Sequence, residues 1–517
     1  MGIFNGLTRR KFMRNAAMGA GALGTSNLWM PRRGRAQDMS FLAPPGGKFN
    51  NIELNYFQDS NWLHAPLWLS QHFQEHAGVS IAGRELYEGG DTVAKILPQL
   101  LSRNPRFDFV QFPALFFGAF AETGQLEPLD QYYAEYADAQ EYLDWVMPAY
   151  GEFYTKWNGS RYGVMLDGDI HILHYRKNYF ADPELQRKYS ARFQRELMVP
   201  QTWPEFRDCV QFFTEELSSQ GVYGTSMVVN PPNFGWGFWM NLAASNGVNY
   251  FDENMTPQIN TPAAVEALDM FKEIISFGPP GRESMDLAQT IQRWQSGADV
   301  MSVWWIDLAE FTVQQQGMEL AEQQGAAIVP GWEQDDGSIR HRALSLWCRT
   351  GAIPANAPED VKRAAFHFLY RMSHPSISDE IVADEYCGSD PFGASHYTDA
   401  AAQKYIQPNP QRGTDNDLWP TNAGIFSTFE RARDHLDGGL SNVEVGYPQF
   451  YWEGTPELAD ALGRNISRAV AGDLTSQQAL DEAAEEWTQI VQNLGIDKQK
   501  QQYQNFLSGA RALGYQI

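Results

Sequence analysis

Cysteine is nearly missing from this 517-residue chain, which holds only Cys209, Cys348 and Cys387. Three thiols cannot build a disulfide framework; at most one bridge could form, with one thiol left over. Their spacing also excludes a zinc ribbon, and no Cys-x-x-Cys pair occurs. Basic residues are scarce too, 39 against 63 acidic, for a formal net charge of −24. Such a surface repels nucleic acid and anionic lipid, and favours neutral or cationic ligands. There is no G-x-S-x-G elbow, no Walker loop, no internal repeat and no low-complexity tract. What remains, at 43% hydrophobic and 20% charged residues, is the composition of a soluble globular protein.

The N-terminus carries the clearest local signal. Thr8-Arg9-Arg10-Lys11-Phe12-Met13-Arg14 is a twin-arginine pattern, followed by a weakly apolar Gly/Ala-rich stretch from Ala16 to Met30. That stretch is too short to span a bilayer. Gly34-Arg35-Ala36 offers a small-residue cleavage site before Gln37, so residues 1–36 are expected to be a twin-arginine export signal. Gly19-Ala-Gly-Ala-Leu-Gly24 fits G-x-G-x-x-G, but no strand precedes it and no acid follows at about 20 residues, so it is no dinucleotide site. No cysteine follows the signal to take a lipid anchor. The signal holds seven bases and no acid, which leaves the mature chain 32 bases against 63 acids, or −31. The expected location is the periplasm, without membrane insertion.

A chain of this length exceeds one ordinary core, so at least two bodies are expected. The organising stretch is Tyr162 to Trp203. It opens as an apolar strand with Asp167 and Asp169 at its entrance, and then feeds a charged helix. Alternation puts Asp169 and His171 on one side of that strand, with Ile170 and Ile172 on the other. Upstream, strands over 51–57, 79–87 and 107–111 alternate with helices over 62–76 and 89–102, the signature of an α/β, doubly wound parallel sheet. Ligands sit at the carboxyl ends of such strands, here Asp59 to Trp62, Glu88 to Thr92 and Gln111 to Phe117. Phe112-Pro-Ala-Leu-Phe-Phe117 reads as an aromatic loop. Downstream, Thr202 caps a helix, Tyr223 to Val229 is a strand, and Asn233 to Trp239 is an aromatic, glycine-spaced loop. A strand ends on Trp304 and Trp305, 326–331 and 344–348 read as strands, 358–372 as a helix, and the last helix spans 474–493.

The order of several segments carries a family likeness. It runs Leu126-Glu-Pro-Leu-Asp130, Tyr162-Gly, Leu173-His-Tyr-Arg-Lys-Asn178, Val199-Pro-Gln-Thr-Trp-Pro-Glu-Phe206, Asn246-Gly-Val with Phe251-Asp, and Thr261-Pro-Ala-Ala-Val-Glu-Ala-Leu268. Gln295-Ser-Gly-Ala-Asp-Val-Met301, Ala355 to Leu369, and Leu480-Asp-Glu-Ala-Ala with Trp487 complete it. In this the chain resembles extracellular solute-binding protein family 1, the maltose-binding-like proteins of ABC sugar importers. The resemblance implies a two-lobed periplasmic-binding-protein fold with a hinge, its mixed or parallel sheets flanked by helices. It places the N-terminal lobe at 40–166 and 325–379, and the C-terminal lobe at 167–324 and 380–517. It further implies a monomer without cofactor or catalytic residues, which binds a carbohydrate between its lobes and passes it to a membrane permease. The apolar 112–117 loop departs from the maltose-binding pattern, so maltose itself is not implied.

A sugar presents hydroxyls at its edge and an apolar C–H face, which proteins meet with carboxylates or amides and with aromatic rings. The expected ligand-binding residues are Asp59, Asn61, Trp62, Glu88, Asp167, Asp169, Trp236, Trp239, Trp304, Trp305, Asp307 and Asp390. Each Trp has core packing as its alternative, since Trp is usually largely buried. Adjacent in a strand, Trp304 and Trp305 should face opposite ways. Asp59 has the alternative of a helix N-cap, and Asp167 and Asp169 that of solvated loop acids. Acids outnumbering bases at these positions argue against uronates and phosphorylated sugars.

An exported hydrolase is the competing reading. His72-Phe-Gln-Glu75-His76 fits H-x-x-E-H, which would make a zinc peptidase, and paired acids near tryptophans resemble a glycosidase. His171 and His174 sit three apart on a strand and so on opposite faces, a poor pair of metal ligands. Replacing His72 and His76 is expected to leave ligand binding intact, and metal analysis of the purified protein is expected to find no zinc.

Overall fold

The computed structural model describes residues 39–60, 64–87, 89–316, 318–408, 424–515 and 517. The expected export signal, residues 1–36, and Asn61, Trp62 and Glu88 lie outside these described residues. The chain divides into two compact units. The first takes Met1–Asp169, Trp347–Ile425 and Gly509–Gln516; the second takes Ile170–Leu346, Phe426–Ser508 and Ile517.

In chain order the first unit opens with β1 (Ile52–Asp59), α1 (His64–Ala77), β2 (Val79–Tyr87), α2 (Thr92–Leu100), β3 (Phe109–Pro113) and β4 (Val164–Asp167). The second contains β5 (His171–Arg176), α3 (Trp203–Leu217), β6 (Tyr223–Thr225), α4 (Pro232–Ser245), β7 (Asp299–Trp305) and β8 (Gln324–Ala327). The chain returns to the first for β9 (Arg349–Ala352) and α5 (Glu359–Ser373). The second then adds α6 (Thr455–Ala471), α7 (Ser476–Leu494) and most of α8 (Ile496–Ala512).

The first sheet has the order β2-β1-β3-β9-β4. Its β1 runs parallel to β2 and β3, whereas β9 is antiparallel to both β3 and β4, so the sheet is mixed rather than wholly parallel. The second sheet, β8-β5-β7-β6, pairs β5 antiparallel with β7 and β8, and β6 parallel with β7. Every residue of the internal strands β3, β7 and β9 is buried, as is every residue of the edge strand β4.

Several segments differ from the reading above. The entrance strand is two strands: β4 ends at Asp167 and β5 begins at His171, each in its own unit's sheet. Gly168 sits in the break, where a Cβ would meet the Pro391 carbonyl oxygen at 2.4 Å. Residues 325–346 belong to the second unit, because β8 pairs with β5, and 380–425 belong to the first. The 112–117 segment is no open loop; it runs from the end of β3 through a 3-10 turn into a short helix, all buried. Residues 233–239 are helix α4. Glycine spacing serves close approach there, since a Cβ on Gly235 would meet the Val229 carbonyl oxygen at 2.2 Å and one on Gly237 the Leu346 side chain at 2.4 Å. The last helix of the chain is α8, beyond α7. Among the described helices, none is long and apolar enough to cross a membrane.

Local signals that did act are visible at α3. Its start is closed by a capping box, with the Glu205 N–H donating to Thr202 Oγ1 (3.3 Å) and the Thr202 N–H to Glu205 Oε2 (3.1 Å). In the second unit's helical layer, Trp487 Nε1–H donates to the Leu458 carbonyl (2.8 Å) and ties α7 to α6.

Gly463 on α6 lies so close to α4 that a Cβ there would stand 1.8 Å from the Pro232 carbonyl oxygen. Backbone cannot rotate aside as a side chain can. Gly463→Ala is therefore expected to cost about 1–3 kcal/mol, read by calorimetry as a lowered Tm for the transition that carries the second unit.

Candidate functional site

Strand register gathers a polar group at one edge of the first sheet. Asp59 ends β1 opposite Tyr87, the last residue of β2. Arg349 opens β9 opposite Pro113, the end of β3, on one side and Asp167, the end of β4, on the other. Parallel strands ending together, met by an antiparallel strand beginning there, place four side chains at the carboxyl edge, where α/β sheets bind ligands.

Arg349 is the centre of this group. Its Nη1 donates to Asp167 Oδ2 and to the Gly388 carbonyl (3.3 Å), and stands 3.9 Å from Asp169 Oδ2. Its Nη2 lies 3.8 Å from Asp59 Oδ2. The guanidinium and all three carboxylates are buried. Asp390 joins them from the 387–392 loop: its N–H donates to Asp167 Oδ1 (2.5 Å), and its carbonyl accepts from the Gly168 N–H (3.2 Å). Burial pushes the Asp167 carboxyl above the ordinary range, while Arg349 and the Asp390 N–H pull it back.

The surroundings hold these acids in place. Gln111 Oε1 accepts from the Asp59 N–H (2.8 Å), and Tyr87 donates to the Gln111 carbonyl (2.6 Å). Trp347 Nε1–H donates to Asp59 Oδ2 (3.3 Å), and its ring meets Phe116 edge-on at 6.0 Å. Trp347 and Cys348 both adopt positive φ, 84° and 44°. Such backbone in non-glycine residues is held by its surroundings; here the Ala114 N–H donates to both their carbonyls, at 2.9 and 2.7 Å, and Cys348 Sγ–H donates to the Asp169 carbonyl at 3.3 Å.

The second unit carries an aromatic cluster at the end of β7. Trp305, paired with His171 across β5 and β7, meets the His171 ring edge-on at 4.9 Å. Phe238 of α4 touches His171 (4.6 Å), Trp304 (6.0 Å) and Trp305 (5.7 Å), while Phe234 meets Trp305 at 6.3 Å. Trp305 Nε1–H donates to the Leu346 carbonyl at 2.7 Å. The expectation that Trp304 and Trp305 diverge does not hold: their rings meet edge-on at 5.1 Å against one phenylalanine. At the end of a strand, side chains as wide as indole can turn toward a common neighbour.

Of the expected ligand-binding residues, Asp59, Asp167, Asp169 and Asp390 come together, all in the first unit. Asp59 closes a strand, and Asp167 and Asp169 are buried, not solvated. Trp304 and Trp305 come together in the second unit, with Asp307 buried just beyond them. Trp236 is packed in the core, stacked on Phe450 at 4.6 Å, and Trp239 is fully buried on the same helix. Asn61, Trp62 and Glu88 lie outside the described residues. Arg349, Trp347 and Tyr87 are not among the residues expected from the sequence; the signal for Arg349 was a base at the mouth of a strand in a chain poor in bases.

Metal ligation can be weighed from the same geometry. Carboxylate oxygens of Asp167, Asp169 and Asp390 lie within 4.8 Å of one another, the group of described residues spaced to hold a cation. Arg349 already supplies positive charge to two of them. His72, Glu75 and His76 sit on α1 and do not form such a group. The three cysteines are buried and unbridged.

The family model for bacterial extracellular solute-binding protein matches residues 68–406. No curated protein matches the sequence significantly. Among solved structures, the chain is similar to an ABC transporter solute-binding protein of Agrobacterium radiobacter K84 in complex with ribitol. There the TM-score is 0.66 at 20% identity, over 86% of this chain and 100% of that one. A solute-binding protein of Agrobacterium vitis S4 with bound D-mannitol gives 0.65 at 18%, over 86% and 99%. A maltose-bound protein of T. maritima gives 0.65 at 16%, over 84% and 99%. These likenesses share the two-lobed fold with mixed sheets flanked by helices.

Removing Arg349 would leave Asp167 buried without its cation. Arg349→Met is expected to cost about 3–5 kcal/mol near neutral pH. Without the guanidinium the Asp167 carboxyl rises further. A carboxyl raised in the fold stabilises below its unfolded value of about 4, and that contribution is lost as pH rises through the folded value. The Tm gap between the two proteins should therefore be small at pH 4 and widen toward pH 8. An equal gap at both would show that the pair is not held by charge.

Proposed function

Because the chain belongs to the bacterial extracellular solute-binding proteins, we propose that it is the binding component of an ABC importer for a neutral carbohydrate, a mono- or oligosaccharide or a polyol. The observation that carries the proposal is the Arg349-centred set of carboxylates at the carboxyl edge of the first sheet. Ionised carboxylates only accept hydrogen bonds, and a polyol is a chain of donors. The aromatic cluster of the second unit supplies faces for C–H groups. The ribitol, D-mannitol and maltose of the structural relatives are polyhydroxylated and uncharged, which supports this ligand class.

The proposal includes export by the twin-arginine signal at Arg9-Arg10 and action in the periplasm as a monomer. A ligand that engages both units favours whichever arrangement lets it do so, by its difference in affinity for the two states. The loaded form then docks on a membrane permease. No step of this makes or breaks a covalent bond, and Asp167, Asp169 and Asp390 act as acceptors, not as acids or nucleophiles.

The test is thermal shift of the mature protein against ribitol, D-mannitol, maltose and a wider neutral saccharide panel. Ligand at ~100 times its Kd adds about 2.7 kcal/mol of stability, a readily seen rise in Tm. A rise with a neutral sugar or polyol and no product on prolonged incubation is the expected result. Hydrolysis of a glycoside by the pure protein would replace this reading with the hydrolase.

A further inference from the structure

The aromatic cluster of the second unit contains a histidine whose hydrogen-bonding state is fixed by its neighbours. Asn241 on α4 accepts the Leu344 backbone N–H on its Oδ1 (2.8 Å). That bond settles which end of the amide is nitrogen. Asn241 Nδ2, a donor only, lies 2.8 Å from His171 Nδ1. The imidazole must therefore accept at Nδ1 and carry its proton on Nε2. Burial pushes the ring's pKa down to about 3, so it stays neutral at any ordinary pH.

The Nε2–H so defined has no hydrogen-bond partner among the described residues, and His171 is fully buried. Trp304 repeats the pattern beside the same Phe238: its Nε1–H is buried and lacks a partner among the described residues. By contrast, Trp305 in the same cluster has its indole N–H satisfied by the Leu346 carbonyl. Buried polar groups are nearly always paired, by protein, water or ligand, and an orphan asks for its acceptor. Two orphan donors in one aromatic cluster, one of them held in a fixed tautomer, are the arrangement of a site that reads an acceptor.

We propose that His171 Nε2–H, with Trp304 Nε1–H, forms a donor subsite for an uncharged acceptor oxygen of the ligand, a hydroxyl, ether or carbonyl. This rests on the carbohydrate reading above and deepens it. The subsite rejects a deoxy carbon, which cannot accept, and a protonated amine, which offers only further donors. Asn241 is the positioning residue, since it sets the tautomer without touching the ligand.

Two measurements test it. In protein labelled with 15N at histidine, His171 (assigned by comparison with His171→Phe) should show a protonated Nε2 and a bare Nδ1 from pH 6 to 8. An Nδ1-protonated ring or an imidazolium would overturn the proposal whether or not a ligand is known. His171→Phe keeps a ring against Phe238 and Trp305, and leaves Asn241 Nδ2 its other acceptors, the Gly237 and Phe238 carbonyls at 3.0 and 3.3 Å. Calorimetric titration with ribitol, D-mannitol and maltose should show about ten-fold weaker binding by this variant, the scale of one lost hydrogen bond. Equal affinities in both proteins would mean that water, not ligand, satisfies the imidazole, and only the subsite would fall. Binding of none of the three by the unaltered protein would take the functional reading down as well.

Discussion

One buried guanidinium makes the first unit's polar edge possible. Four carboxylates at the ends of neighbouring elements would repel one another out of a folded interior, where an unpaired charge is costly. Arg349 meets three of these acids itself, through two nitrogens of one planar fork, and the Asp390 N–H holds the fourth residue's loop against Asp167. Its position follows from topology. Only an antiparallel strand inserted between β3 and β4 can begin where its parallel neighbours end, and so bring a side chain from its own start to their finish. The mixed sheet is thus a condition of the site.

The two units bring unlike chemistry. The first offers acceptors: carboxylates met by Arg349, by the Asp390 N–H and by the Trp347 indole N–H. The second offers rings and donors: His171, Trp304, Trp305 and Phe238 at the end of one strand pair. A hydroxyl can donate to the first kind of group and accept from the second, whereas a cation or an anion is suited to only one of them.

Sequence patterns reached the class of fold and part of this edge. Asp59, Asp167 and Asp169 were visible as acids at the ends of strands, whereas Asp390 comes from a loop. Patterns failed where tertiary contacts override local signals. Glycines at 235 and 237 imitate a loop, yet they sit in a helix because neighbouring backbone and Leu346 leave no room for a Cβ. The aromatic run at 112–117 imitates an exposed loop, yet it is core beneath the site. Arg349 could not be assigned, since its meaning depends on which strands flank it, and strand order is not written locally. His171 was weighed only as a metal ligand; its tautomer depends on Asn241, seventy positions away.

The cysteines bear on where the protein can fold. All three thiols are buried and unbridged, and burial holds that of Cys209 at a pKa of about 12, far from the reactive thiolate form. Nothing in the described structure therefore waits for an oxidant. A chain built this way can complete its fold in a reducing compartment and keep that fold in an oxidising one. Its stability does not depend on the redox state of its surroundings through any bridge among the described residues.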